Sequence, residues 1–462
     1  MGIVHAKALD VKNDSVQDGA VENFEDNRTT VSVSLKHVKA VVQKVNVEGL
    51  ERTKDDVVSK CIQPLFKATS FYEMISQVSK VRSKLLNAGL FKEVLTFVDI
   101  SQKHTSREDS YEITFMVQEG SRLVGSINTA VGQNEGSVGC GLVMPNAFGR
   151  GERAQVEYRY GTLESGSVST TIRAPFFTVP GSASCGLASQ LLDYPWSGFN
   201  TRINSTHMEL KVGSPYDVEH TFRYEFGWRH IKPHQINPSM LVRSDAGHSI
   251  KSSVGYSFSR DQRDDAILPG RGNLSRVAFE LAGLGGDVGF GKCELEHQIN
   301  LPVPLLDLWT LQVSLQAGAM FHPFENKFFY GVDRFFLGGP LGLRGFKING
   351  VGPHDSGFAL GSEGYWAAGL HLYAPLPLLR GNFSREYLRT HAFLTTGNAV
   401  SMDDSKTLPK MLDGRRVSCG VGVVLRVARI ARLELNYCFP IAFLPSDRVE
   451  PGFQFGVGMT FL

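Results

Sequence analysis

From about residue 121 to the end of the chain, hydrophobic and polar positions alternate with a period of two. In RLELNYCF, Leu433, Leu435, Tyr437 and Phe439 share one face of an extended chain, and Arg432, Glu434, Asn436 and Cys438 share the other. In TFRYEFGWRH, Phe222, Tyr224, Phe226 and Trp228 alternate with Thr221, Arg223, Glu225, Gly227 and Arg229. In TLQVSLQAGA, Leu311, Val313, Leu315, Ala317 and Ala319 alternate with Thr310, Gln312, Ser314 and Gln316. The last such run, FQFGVGMTFL, sets Phe453, Phe455, Val457, Met459 and Phe461 against Gln454, Gly456, Gly458 and Thr460. This pattern predicts strands with two unlike faces.

A water-soluble multi-sandwich also alternates, so the composition of each face matters. The polar faces carry large charged residues strand after strand, and the apolar faces are aromatic and aliphatic. The runs are about 10 residues long, enough to cross a bilayer at a ~45° tilt, and they number about sixteen. Closing such a sheet satisfies every backbone N–H and C=O within lipid. The expectation for residues 121–462 is therefore a transmembrane β-barrel of about 16 antiparallel strands.

Residues 39–120 follow other periods. KAVVQKVNVEGL reads as a strand ending in a glycine turn. TKDDVVSKCIQPLF opens with Thr53 as a helix N-cap, followed by acids in the first turn. FYEMISQVSKVRSKLLNAGL places Phe71, Ile75, Val78, Leu85 and Leu86 near helical spacing and stops at Gly89. Two strands follow, FKEVLTFVDI and SYEITFMVQEG. The order β-α-α-β-β over about 80 residues predicts a compact α+β domain. Residues 1–38 read as a polar, flexible tail.

Composition narrows the function. The chain has 462 residues, with 48 basic against 46 acidic, a net charge of +2 that gives no clustered field for nucleic acid. Its 48 glycines and 30 phenylalanines favour strands and turns over helices. Mean hydropathy is only -0.11, and no stretch approaches the ~18 apolar residues of a membrane helix. A β-barrel gives the same weak signal, because only alternate residues face lipid. Cys61, Cys140, Cys185, Cys293, Cys419 and Cys438 lack metal-like spacing and read as free thiols. The N-terminus has neither the apolar core of a secretory signal nor the Arg-rich character of a matrix presequence. Gly2 suits N-myristoylation, but Ala6 stands where Ser or Thr is favoured. No catalytic constellation is found, and neither GLGGDVG (283–289) nor DQRDDA has the context of a nucleotide or calcium loop. No enzyme activity, cofactor or metal is expected.

Between the run ending at about residue 321 and GYWAAGLHLYAPLP lies a long apolar, glycine-rich segment, 322–356. It contains GGPLGLRGF, with the single cation Arg344. Folded into the barrel lumen, this loop would bury its aromatics and let Arg344 meet a carboxylate. FFLGGPLGLRGF (335–346) resembles the loop-six signature of the BamA-type outer-membrane insertase superfamily, G-G-x-x-x-[LVI]-R-G-[FY]. Gly338 and Gly339 open that signature, and Leu343, Arg344, Gly345 and Phe346 fill its most diagnostic positions. PNAFGRGE (145–152) resembles the turn after the second barrel strand, and SRDQRDDAILPGRG (259–272) a D-x-R-D…P-x-x-G stretch. FQFGVGMTF matches the mitochondrial β-signal through Gln454, Gly456, Met459 and Phe461, so the chain resembles the sorting-and-assembly branch of the superfamily.

The resemblance implies that residues 39–120 form one polypeptide-transport-associated (POTRA) domain. It further implies insertion of β-barrel precursors at a lateral seam between the first strand (122–132) and the last (452–462) of the barrel. Gly456 and Gly458 would weaken the last strand. An exposed first-strand edge would then template an incoming strand. In bacterial relatives the loop arginine meets acids on the two following strands; here those positions are His371 and Thr395. Glu363 shares the parity of His371 and is the expected partner of Arg344. The implied partners are β-barrel precursors, accessory subunits of an assembly complex, the lipid bilayer and inner-membrane contact-site proteins. The implied location is the mitochondrial outer membrane, with the POTRA domain in the intermembrane space. A polypeptide-secretion or solute channel of the same superfamily, or a membrane-contact scaffold, remains an alternative.

Overall fold

The computed structural model describes residues 38–87, 89–100, 109–132, 135–163, 165–177, 179–214, 217–234, 239–304, 309–324, 326–376, 387–401, 411, 413–427, 431–458 and 461–462. Most of the N-terminal tail, including Gly2, and Met459 of the last strand lie outside the described residues. Contacts divide the chain into two units. One runs up to Val124 and includes Met144–Arg153; the other holds Gly125–Val143 and Ala154–Leu462.

The smaller unit contains β1 (Val41–Glu48), α1 (Asp55–Ile62), α2 (Phe71–Asn87), β2 (Phe91–Ile100) and β3 (Ser110–Glu119). The sheet order is β1-β3-β2, with β1 parallel and β2 antiparallel to β3. A parallel β1–β3 pair needs a crossover, which the two helices supply. Its core draws on Ile113, Phe115 and Val117 of β3, Val94 of β2, and Met74, Val78, Val81 and Leu85 of α2, all buried. Of the residues expected at helical spacing, Val78 and Leu85 lie on this buried stripe, whereas Ile75 is 41% exposed and Met74 and Val81 take its place.

Thr53 does not cap α1. The N-cap is Lys54, which makes no side-chain cap bond. The Thr53 hydroxyl instead donates to Glu119 Oε1 at 2.7 Å and accepts from Asn146 Nδ2 at 2.8 Å. The same Glu119 oxygen takes the backbone N–H groups of Glu51, Arg52 and Thr53 at 3.2, 3.0 and 2.8 Å. Burial pushes the Glu119 carboxyl up, but hydrogen bonds from Thr53 and Arg52 outweigh it and hold it at about 2. The 144–153 turn is tied into the same unit, with the Lys54 N–H donating to the Gly149 carbonyl at 2.8 Å.

The larger unit is built on sixteen strands in one antiparallel sheet. They are β4 (Val124–Gly132), β5 (Glu135–Pro145), β6 (Arg153–Gly161), β7 (Gly166–Pro175), β8 (Gly181–Tyr194) and β9 (Phe199–Ser214). The order continues with β10 (Val218–Pro233), β11 (Gly247–Asp261), β12 (Gly272–Gly286), β13 (Phe290–Pro302) and β14 (Thr310–Phe321). After a long connection holding a small hairpin, β15 (His354–Asp355) and β16 (Phe358–Ala359), come β17 (Gly364–Pro375), β18 (Leu388–Val400), β19 (Arg416–Val427), β20 (Ala431–Ala442) and β21 (Gly452–Gly458). Each barrel strand pairs with its sequence neighbour, β14 pairing with β17, and β4 and β21 stand at the two ends of the order. A short helix, α3 (Met240–Ser244), joins β10 to β11.

The faces are the inverse of a soluble sandwich. On β20, Arg432, Glu434, Asn436 and Cys438 are buried, while Leu435 and Phe439 are 49% and 52% exposed. On β10, Phe222, Tyr224, Phe226 and Trp228 point outward and Arg229 inward. Apolar side chains outside and charged ones inside suit only a lipid surround, and this is the transmembrane β-barrel the alternation predicts. One difference is length: β9 and β10 run 16 residues each. That exceeds the roughly 9–11 needed to cross hydrocarbon, so these strands reach beyond it.

Candidate functional site: the lumen loop and the last hairpin

The connection between β14 and β17 turns back against the inward faces of the strands. Leu343 and Phe346 are fully buried and pack with Leu337, Val351, Ala367, Ala399 and Leu462. Two glycines of the motif answer to specific needs. Gly345 has φ +83°, and a Cβ there would meet the Ser418 hydroxyl on β19. Gly338 has φ +113°, with the backbone of Lys347 and Gly350 against it. A side chain at either position would be strained and would hold the loop off the wall. Gly339 is also left-handed, at φ +107°.

Arg344, completely buried, reaches β20. Its Nη2 and Nε donate to Glu434 Oε2 at 2.9 and 3.2 Å, and its Nη1 donates to the Leu462 carbonyl at 3.4 Å. The guanidinium lies over the rings of Phe393 and Phe461, 5.2 and 5.7 Å from their centroids. Glu434 also meets Arg432 Nη2 at 2.7 Å and accepts from Asn436 Nδ2 at 2.9 Å. Asn436 in turn lies 2.6 Å from His391 Nε2. Because the Asn436 amide nitrogen is committed to Glu434, its oxygen accepts and His391 carries the proton on Nε2.

The expected partner of Arg344 is corrected by this geometry. Glu363 lies 3.9 Å from Arg334 and 3.8 Å from His322, and the acid that meets Arg344 is Glu434. Glu363 sits just before β17 at the end of the loop, whereas Arg344 lies deeper, over the last hairpin. His371 and Thr395 are both fully buried, but neither bonds Arg344. Thr395 donates to the Ser418 carbonyl at 3.4 Å, and the His371 ring stacks with His391 and Phe393.

The loop also holds β21. Gln454 Oε1 accepts from the Gly345 N–H at 2.9 Å, and Gln454 Nε2 donates to the Phe346 carbonyl at 3.0 Å. Gly456 and Gly458 share the inward face with Gln454, and there the loop lands. Cβ atoms on them would lie 3.1 Å from Pro340 and 3.0 Å from Leu341. Past the strand, the Leu462 N–H donates to the Leu341 carbonyl at 2.9 Å, and Phe461 lies 4.0 Å beneath the Arg432 guanidinium. The loop therefore grips the final strand through backbone, amide and glycine contacts together.

The Omp85 superfamily domain matches residues 146–461. Sorting and assembly machinery component 50 homologs of Mus musculus and Homo sapiens are 38% and 37% identical, each match spanning the whole of both chains. The chain belongs to the Omp85 superfamily and, within it, to the sorting and assembly machinery component 50 family. A crystal structure of BamA from Haemophilus ducreyi lacking POTRA domains 1–3 has the same fold, with a TM-score of 0.75 at 16% identity. That match covers 90% of this chain and 84% of the other. In Omp85 terms the domain built on the β1–β3 sheet is the POTRA domain.

A second fastening of the β14–β17 connection carries no motif. Asp333 accepts from Arg229 Nη1 of β10 at 2.8 and 3.0 Å, both side chains being buried. Lys251 Nζ lies 2.5 Å from Glu280 and 3.9 Å from Asp333, and Lys292 Nζ reaches the Asp333 carbonyl at 3.5 Å. Arg229 was legible as inward-facing from its parity, but nothing in the sequence pairs it with Asp333.

Proposed function

We propose that this protein inserts and folds β-barrel precursors into the mitochondrial outer membrane, templating their strands at a seam between β4 and β21. The observation that carries this reading is the hold on β21: the loop fastens the last strand from inside, through Gln454, Gly456 and Gly458. A strand secured on its inner face can part from a first strand at its edge without losing its place. The free edge of β4 then offers unpaired N–H and C=O groups to an incoming strand. An incoming signal resembling β21 exchanges with it nearly isoenergetically, so no ATP or cofactor is needed. Full-length similarity to sorting and assembly machinery component 50 proteins supports the process and the compartment. It also supports accessory subunits as partners, with the POTRA domain in the intermembrane space facing precursors and inner-membrane contact-site proteins.

The test replaces the endogenous protein in isolated organelles by Arg344→Ala, or by a version cross-linked between β4 and β21. Integration of a newly made β-barrel precursor is followed beside small-solute permeability. Loss of integration at unchanged permeability is the expected result. Normal integration with altered permeability would make the protein a channel, a reading against which the docked loop weighs.

A further inference from the structure

The outer wall where β8 to β11 lie side by side is layered in an order that hydrocarbon alone would not require. Ladder register sets Arg202 beside His230 and His230 beside His248. Two residues along each strand, Ser189, Asn204 and Trp228 stand level; two further, Leu187, Thr206 and Phe226. Residues two apart share a face, so all three rows are outward, with exposed Met208 and Phe222. Between them runs a groove of about 350 Å³, whose lining includes Thr170, Ser189, Asn204, Thr206, Phe226 and Trp228. Polar groups on a lipid-facing wall are costly where nothing meets them.

Those polar groups have a direction. Ser189 Oγ donates to Asn204 Oδ1 at 2.7 Å, which leaves the Asn204 amide hydrogens to donate into the groove. In the row beyond, the His230 and His248 rings stack at 4.1 Å, and Trp228 lies over His248 at 5.2 Å with the planes 7° apart, forming a shelf. Arg202 and Lys232 are exposed and make no ion pair among the described residues. Asp193 is taken by His234 at 2.8 Å.

We propose that this groove binds an anionic phospholipid of the surrounding bilayer, in the leaflet at the α3 end of the barrel. The phosphate meets Arg202 and Lys232, with the two imidazoles as further donors. An ester carbonyl accepts from Asn204 Nδ2, and an acyl chain follows Leu187, Thr206 and Phe226. Cations, then amide and indole, then hydrocarbon is the order of groups along a phospholipid. That charge match selects a lipid over a transmembrane helix, which brings no anion to this depth. The inference rests on the barrel fold and is independent of the insertase reading.

Native mass spectrometry of the full chain, purified in detergent and titrated with dioleoyl phosphatidylglycerol or phosphatidylcholine, tests it. One phosphatidylglycerol should be retained with a preference of about tenfold or more, from two cations at the surface. The double variant R202Q/K232Q should lose the preference, and N204L, which keeps both cations, should weaken retention of both lipids. Folded barrel in each sample is verified by heat-modifiable gel mobility. Equal retention of the two lipids by the unmodified chain, or full retention of phosphatidylglycerol by R202Q/K232Q, overturns the proposal. So does a polypeptide, rather than lipid, captured by a photoreactive group at Phe226.

Discussion

The lumen loop is fastened at two walls, and the two fastenings differ in kind. At β20, Arg344 and Glu434 meet inside a glycine-rich signature, with the backbone itself pressed on Ser418. At β10, Asp333 and Arg229 form an ion pair within 0.1 Å of that length, 2.8 against 2.9 Å, in a segment without any motif. Both pairs are buried, so burial of charge does not separate them. Close backbone approach does. Where the main chain must lie against a strand, side chains are forbidden at fixed positions and a pattern survives in the sequence. Where two long side chains reach each other, many spacings serve, and no pattern is left.

The sharpest way to break this comparison is to remove the buried acid. Glu434→Ala leaves Arg344 and Arg432 without their shared carboxylate and should destabilise the barrel by about 3–5 kcal/mol, read from denaturant midpoints in micelles. A loss below about 1 kcal/mol would mean that water, and not the protein, solvates Arg344. Asp333→Asn should cost about 2–3 kcal/mol, because the remaining amide oxygen still accepts from Arg229 and Lys251 keeps Glu280, and protease nicking of the loop should rise near residue 333. If it costs as much as Glu434→Ala, the two fastenings are equivalent. Gly456→Val pushes a branched side chain against Pro340 and should cost about 1–3 kcal/mol, with hydrogen exchange accelerating along β21. Unchanged exchange there would sink the idea that the glycines seat the loop. Glu363→Gln should shift stability by less than about 1 kcal/mol, since the amide keeps an acceptor oxygen and the contacts with His322 and Arg334 are long. A larger cost would restore Glu363 as an anchor.

Strand number and facing were legible because a period of two is local: each residue declares its face beside its neighbours. The single cation of the apolar stretch GGPLGLRGF was likewise enough to demand a buried acid. Which acid was not legible. Glu363, His371 and Glu434 all face inward by parity, and the choice depends on how far the loop descends before Arg344 turns to the wall. Thr53 failed for a related reason. Its neighbours made it a good cap, but Glu119 and Asn146, distant in sequence, compete for the same hydroxyl. Local signals fix faces and element types; long-range competition decides partners.

In the strand order β20 is second and β10 tenth of sixteen, so the two fastenings are half the sheet apart. The loop is thus a tie-rod across a hoop. Each strand added to the circumference would widen the hoop by roughly 2 Å, given the interstrand spacing and tilt. Ion pairs of 2.8–2.9 Å tolerate only a fraction of that stretch. A barrel that accepted more than about one guest strand would have to release one end of the rod or lengthen it, and a spin-label distance between the outward positions Phe222 on β10 and Leu435 on β20 would register the slack.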